Sequence, residues 1–240
     1  MAVSAASVVR GPGEIAAMVV DGTRRIFTTR FQVREFIEQA WFITSVTLMP
    51  TILVSIPFGA VISLQVGNLT GQLGAQSFAG ATAVLAVVRE AAPIAAALII
   101  AGAAGSAICS DLGARKIREE IDAMRTLGLD PIDVLVVPRT LALLIMLPVL
   151  GFISNITGLV GGALMAWVDL GVSPGMFVPR LYETTGVWHL IVGMVKAPFF
   201  AVVIAVVGCW QGMLVGGSAE SVGQRTTRAV VEAIFLVIVF

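Results

Sequence analysis

Arg89, Glu90, Lys196 and Glu232 are charged residues set inside otherwise apolar runs of this 240-residue chain. A charge at membrane depth costs about 3 kcal/mol on insertion scales unless it is paired or hydrated. Arg89, Glu90 and Lys196 therefore have two readings, a polar cluster lining a substrate-accessible cavity or an internal salt bridge that fixes helix register. Counted from the loops, all three fall toward the outer halves of their helices. Glu232 follows Arg228 by four residues, a spacing that lets them pair on one helical face, so a structural role is expected there. Other chemistry is poorly supplied. The only lysines are Lys116 and Lys196, and neither follows a GxxxxGK[ST] run, so no nucleotide is expected to bind in that way. His189 has no His, Cys or acidic partner at ligand spacing, so neither a metal nor a cofactor is expected on this chain. Without GxSxG or HExxH, no catalytic residue is assigned and the chain reads as a non-enzyme. Cys109 and Cys209 lie inside apolar runs and read as small core residues.

A second concentration of charge is the segment 111–131, DLGARKIREEIDAMRTLGLDP. Ile117, Ile121, Met124 and Leu127 recur at the spacing of one helical face, with Arg115, Lys116, Arg118, Glu119, Glu120, Asp122 and Arg125 around them. Gly128 is placed to cap the helix in the left-handed conformation and Pro131 forbids its continuation. A short helix over 113–127 with one apolar stripe, held against a membrane, is suited to grip another protein.

These residues must be positioned by membrane helices. Hydrophobic residues make up 58% of the chain and charged ones 12%, with a mean hydropathy of +0.97. A soluble domain of this length has too little interior to hide that much apolar surface. Zero net charge gives no reason to expect a nucleic-acid partner. Five apolar spans are expected: 43–66, broken by Pro50 and Pro57; 81–109; 135–168, with Pro148; 188–215, with Pro198; and 229–240, shorter than the roughly twenty residues a span needs and so apparently truncated. Small residues recur every four positions at Ala97, Ala101 and Gly105 in the second span, Gly158 and Gly162 in the third, and Gly208, Gly212 and Gly216 in the fourth, where helix backbones can approach closely.

Basic residues set the expected orientation. Arg24, Arg25, Arg30 and Arg34 precede the first span, Arg115, Lys116, Arg118 and Arg125 lie between the second and third, and Arg225 and Arg228 precede the fifth. The loops at 67–80 and 169–187 carry no base except Arg180. The positive-inside rule then puts the N-terminus, the charged helix and the 216–228 loop in the cytoplasm. Residues 13–40 alternate apolar Ile26, Phe27, Phe31, Phe36 and Ile37 with charge, the pattern of a helix lying in the headgroup layer. The first ten residues lack the features of a signal peptide.

The run REAAPIAAALIIAGAAGSAICSDLGARKIREEIDAMRTLGLDPIDVLVVPR (89–139) and the segment GCWQGMLVGGSAESVGQRTTRAVVEA (208–233) resemble the MlaE/YrbE family of ABC transporter permeases. The resemblance covers residues 20–240 and is strongest to the A-type actinobacterial YrbE subunits that accompany Mce proteins. It implies an all-α integral membrane protein, one permease domain over 1–240, in which 13–40 is an interfacial elbow helix, 113–127 the coupling helix that docks on an ATPase, and the rest five transmembrane helices. It further implies an ATP-driven lipid transporter of the inner membrane. Its partners are a second permease, here a B-type YrbE in a heterodimer, two copies of an Mkl/MlaF-like ATPase that holds the ATP and Mg, and Mce-domain proteins. Arg89, Glu90 and Lys196 match positions where family members carry charge near the lipid cavity. Two alternatives stand beside this reading: an ion-coupled secondary transporter with Glu90 and Lys196 as relay, and a non-transporting anchor for Mce proteins.

Overall fold

A computed structural model of the chain describes residues 33–73, 79–169 and 186–239, with isolated positions between 171 and 181. Among the described residues every regular element is helical. We number them α1 (Val33–Gln72), α2 (79–117), α3 (Glu120–Thr126), α4 (Ile132–Val168), α5 (Val187–Met213) and α6 (Ala219–Val239). Four of these, α1, α2, α4 and α5, contain stretches long and apolar enough to cross a membrane. They correspond to the first four expected spans. The fifth expected span differs: α6 starts at Ala219, ten residues earlier than the apolar run, so its first three turns are polar. It buries Ala229, Ala233 and Val237 at four-residue spacing, and it does not meet the apolar criterion that the other four meet.

Two further expectations are corrected. Residues 33–40 are not part of a separate elbow: they open α1 and run without a break into the first span, while 13–32 lie outside the described residues. Pro50 and Pro57 do not break that span; both sit inside the continuous helix. Membrane helices tolerate proline because neighbouring groups satisfy the freed carbonyls. Residues 67–72 of the expected first loop are also helical.

The chain divides into two compact units. In the unit made of residues 44–99 and 146–200, α1 and α4 run parallel. Ser55 hydrogen-bonds Ser154 at 2.7 Å, and Ser154 donates to the Ala92 carbonyl at 3.1 Å. A Cβ added at Gly59 would overlap the Gly158 carbonyl, and one at Gly162 would sit 2.8 Å from Ser63 Oγ. Three successive turns thus meet in one register. Glycine is required at Gly59 because the helices touch backbone to backbone. The same unit holds a small core of Val84, Val88, Ala166 and Phe177.

In the other unit, which comprises residues 1–43, 100–145 and 201–240, the second half of α2 packs on α5 and α6. A Cβ at Gly208 would lie 3.2 Å from the Gly105 carbonyl oxygen, and one at Gly212 would lie 2.8 Å from Leu112 Cβ. Ile108, Leu112, Leu143 and Ile204 are fully enclosed there. Helix α2 is not uniform: five-residue π-helical turns interrupt it at Val87–Ala91 and Ala101–Gly105, and a third opens α4 at Ile132–Val136. Such turns in α-helices frequently mark functional positions.

Candidate functional site

Three groups of residues carry the chemistry. The first is the segment between α2 and α4, expected as one helix over 113–127. It is instead a hook of two helices. Helix α2 ends at Ile117; Glu119 takes the left-handed conformation at φ 60°, and α3 restarts at Glu120. A left-handed residue other than glycine costs about 1–2 kcal/mol, so surrounding contacts must hold it. Arg118 Nε donates to Glu120 Oε1 at 2.6 Å across the break, which raises the Arg118 pKa above its ordinary value. Lys116 Nζ donates to the Met213 carbonyl at the last residue of α5, 2.5 Å away. That fixes the end of α2 against a second helix end and satisfies a carbonyl left open there.

The far end of the hook agrees with the sequence expectation. Gly128 is left-handed at φ 76°, its N–H bonds the Arg125 carbonyl, and the Leu129 N–H bonds the Met124 carbonyl. This is a Schellman cap. The expected single apolar stripe is divided by the break. Ile121 is buried, Met124 is half-buried, and Ile117 and Leu127 are exposed, Leu127 at 76%. Arg115 and Lys116 belong to the end of α2, whereas Glu119, Asp122 and Arg125 stand exposed on the hook, with Glu120 half-buried.

The second group is the intramembrane charge cluster. Lys196 Nζ lies 2.5 Å from Glu90 Oε2, and Arg89 Nε lies 3.5 Å from Glu90 Oε1. All three expected residues therefore meet around one carboxylate. Their side chains are 37–52% exposed, and Arg89 and Glu90 occupy the π-helical turn of α2. Gly193, one turn before Lys196, lets α5 approach: a Cβ there would be 2.7 Å from the Val88 carbonyl oxygen. This cluster is ion-paired and also reachable, so its geometry fits both readings of its role.

The third group was not singled out from the sequence. Arg139, in the second turn of α4, is 1% exposed. Its Nη2 lies 2.5 Å from Asp111 Oδ2 on α2, and its Nη1 donates to the Leu135 carbonyl at 2.7 Å. Arg115 Nε joins the same Asp111 oxygen at 3.1 Å. One signal could have found it: an arginine inside an apolar run needs a carboxylate, and Asp111 is the last acid of α2. Glu232 also differs from expectation. It accepts from Gln211 Nε2 at 2.7 Å, and Arg225 donates to Gln211 Oε1 at 3.1 Å, so α5 supplies the partner expected from Arg228. Among the described residues no group of His, Cys, Asp and Glu is arranged to hold a metal, and both cysteines are buried and free.

Helices of this length and composition define a multi-pass helical membrane protein. The sequence matches the family described as Permease MlaE over residues 36–240, and the chain belongs to that family. It is 35% identical to a probable ABC transporter permease protein of Synechocystis over 181 residues, 75% of this chain and 69% of the relative. It is 33% identical to one of Rickettsia typhi over 181 residues, 75% and 70% of the two chains. It is also similar to the chloroplastic protein TRIGALACTOSYLDIACYLGLYCEROL 1 of Arabidopsis thaliana, 31% identical over 183 residues, 76% of this chain and 52% of that one. It is thus an ABC transporter permease of the MlaE family.

Proposed function

We propose that this chain is one permease subunit of an ATP-driven lipid transporter of the Mce type, in the inner membrane with its N-terminus and hook in the cytoplasm. It pairs with a B-type YrbE permease. Two Mkl/MlaF-like ATPases, which hold ATP and Mg, dock on the hooks, and Mce-domain proteins receive or deliver lipid on the other side. Lipid cargo is supported by the name of the Arabidopsis relative, which is that of a galactolipid. The A-type assignment rests on the resemblance of residues 89–139 and 208–233.

The observation that carries the reading is the hook. It presents Ile117, Leu127 and Leu129 beside Arg118, Glu119, Asp122 and Arg125 on a capped, ion-paired element. An apolar patch rimmed by charge on a rigid support suits docking to another protein. The chain itself makes and breaks no bonds. ATP closes the ATPase dimer, the hook moves with it, and lipid binds one permease conformation better than the other. The half-exposed cluster of Arg89, Glu90 and Lys196 faces the lipid's polar end in the cavity.

The test is purification of the native complex in mild detergent, with mass spectrometry of what accompanies the wild type and the E119K/E120K double variant. An ATPase and Mce proteins on the wild type, with the ATPase lost from the variant, are expected. A variant that keeps its ATPase and its coupling would refute the docking site. A wild type that carries no ATPase, yet moves lipid in vesicles under an ion gradient, would replace the reading with secondary transport through Glu90 and Lys196.

A further inference from the structure

Arg139 is enclosed, charged and bonded on both forks of its guanidinium, and nothing in the docking reading yet uses it. Its neighbours explain what it joins. Asp111 belongs to the last turns of α2, before the hook; Arg139 belongs to α4, after it. The two residues are 28 positions apart, and their contact closes the hook into a loop. Arg115 draws the last turn of α2 onto the same carboxylate. Lys116 binds the end of α5. At the other foot, Pro131 and Leu135 are buried, and Asp130 Oδ1 accepts from the Ile132 N–H at 3.0 Å. The Leu135 carbonyl that receives Arg139 lies in the π-helical turn opening α4, where the regular ladder of backbone bonds is interrupted.

We infer that Arg139 is a positioning residue: by binding Asp111 and the Leu135 carbonyl at once, it clamps both feet of the hook so that α2 and α4 follow the hook as one body. This rests on the reading of the hook as the ATPase contact. A planar guanidinium suits the task because its fork fixes two acceptors in one geometry, which an ammonium does not. Without the clamp the hook still presents its docking surface, but displacement at α3 dissipates in the softened turn of α4.

Electrostatics separates a mechanical role from a merely stabilising one. Removing one partner of a buried ion pair is costly because of the charge left behind, and that cost is small where the remaining charge is partly exposed and keeps a second partner. In R139M, Asp111 keeps Arg115, and both remain partly exposed. Stability should therefore hold while coupling fails. The experiment uses the purified complex in lipid vesicles, comparing wild type, R139M and R139K for ATPase content, ATP hydrolysed, lipid moved and melting temperature. All three are expected to retain the ATPase, to hydrolyse ATP and to melt alike. Lipid moved per ATP should fall roughly tenfold in R139M, the scale of an ordinary coupling energy, with R139K between. Unchanged lipid per ATP in R139M would overturn the clamp while leaving the docking reading intact. So would loss of assembly or of melting temperature in R139M with normal lipid per ATP in R139K, since that pattern belongs to a structural role. Absence of an ATPase from the wild-type complex would overturn the docking reading, and the clamp with it.

Discussion

The two charge clusters have the same formula and different settings. Each holds one carboxylate between two cations: Glu90 between Arg89 and Lys196, and Asp111 between Arg115 and Arg139. In the first, every side chain is more than a third exposed; in the second, Arg139 is sealed from contact. Reachable charge can change partners when a ligand arrives, because little desolvation stands in the way. A sealed charge keeps its partner, because leaving it alone costs several kcal/mol. The first arrangement suits recognition and the second suits force.

The sharpest way to break that comparison is to neutralise each carboxylate. Asp111→Asn leaves the enclosed Arg139 without an anion and beside a second cation, so the free energy of unfolding should fall by about 3–5 kcal/mol. Thermal unfolding in detergent measures it, and a loss under about 1 kcal/mol would remove the distinction between the clusters. The same substitution in the reachable cluster should behave differently. Glu90→Gln and Lys196→Ala should each change stability less than Asp111→Asn does, and yet impair lipid transport by the assembled complex. Normal transport with lowered melting would make that cluster a register lock instead. Exchanging the charges, E90K with K196E, keeps the pair and separates the two roles further: stability returns, and transport returns only if the sign at each position is immaterial to the cargo. The smallest effect is expected where no cluster is touched. Glu119→Gly relieves the left-handed residue of the hook and adds chain entropy to the unfolded state, for a net gain of about 0.5 kcal/mol. A large change there, in either direction, would show that the hook's bend is tied to one of the clusters.

Much of the helical framework was legible because its signals are local. Apolar runs placed α1, α2, α4 and α5, and Gly128 with Pro131 placed the end of the hook. Most of the failures share one cause, contacts distant in sequence. Arg118-Glu119-Glu120 contains only good helix formers, so nothing local announces the break; Lys116 reaching the end of α5, some 97 positions away, anchors the chain beside it. Glu232 had a partner one turn away in sequence, but Gln211, 21 positions distant, is the one it meets. Arg139 at the start of a span looks like an ordinary basic flank until Asp111 is seen beside it. At the intramembrane cluster the residue types were legible, while their convergence on Glu90 required knowing that α5 approaches at Gly193. The prolines of α1 were misleading because rules learned in water assume that water competes for the freed carbonyls.

Helix α1 has 40 residues, which at 1.5 Å each makes it about 60 Å long. The hydrocarbon core of a bilayer is only about 30 Å thick. Half of the helix is surplus to crossing, so it must lean steeply or emerge among the headgroups. Its first turns are equipped for emergence, with the Arg34–Glu38 pair and Trp41, 75% exposed. Its middle is gripped by α4 at Ser55, Gly59 and Ser63. A helix gripped over three turns in its middle and longer than the bilayer is thick must take up the surplus in tilt or in the length that emerges.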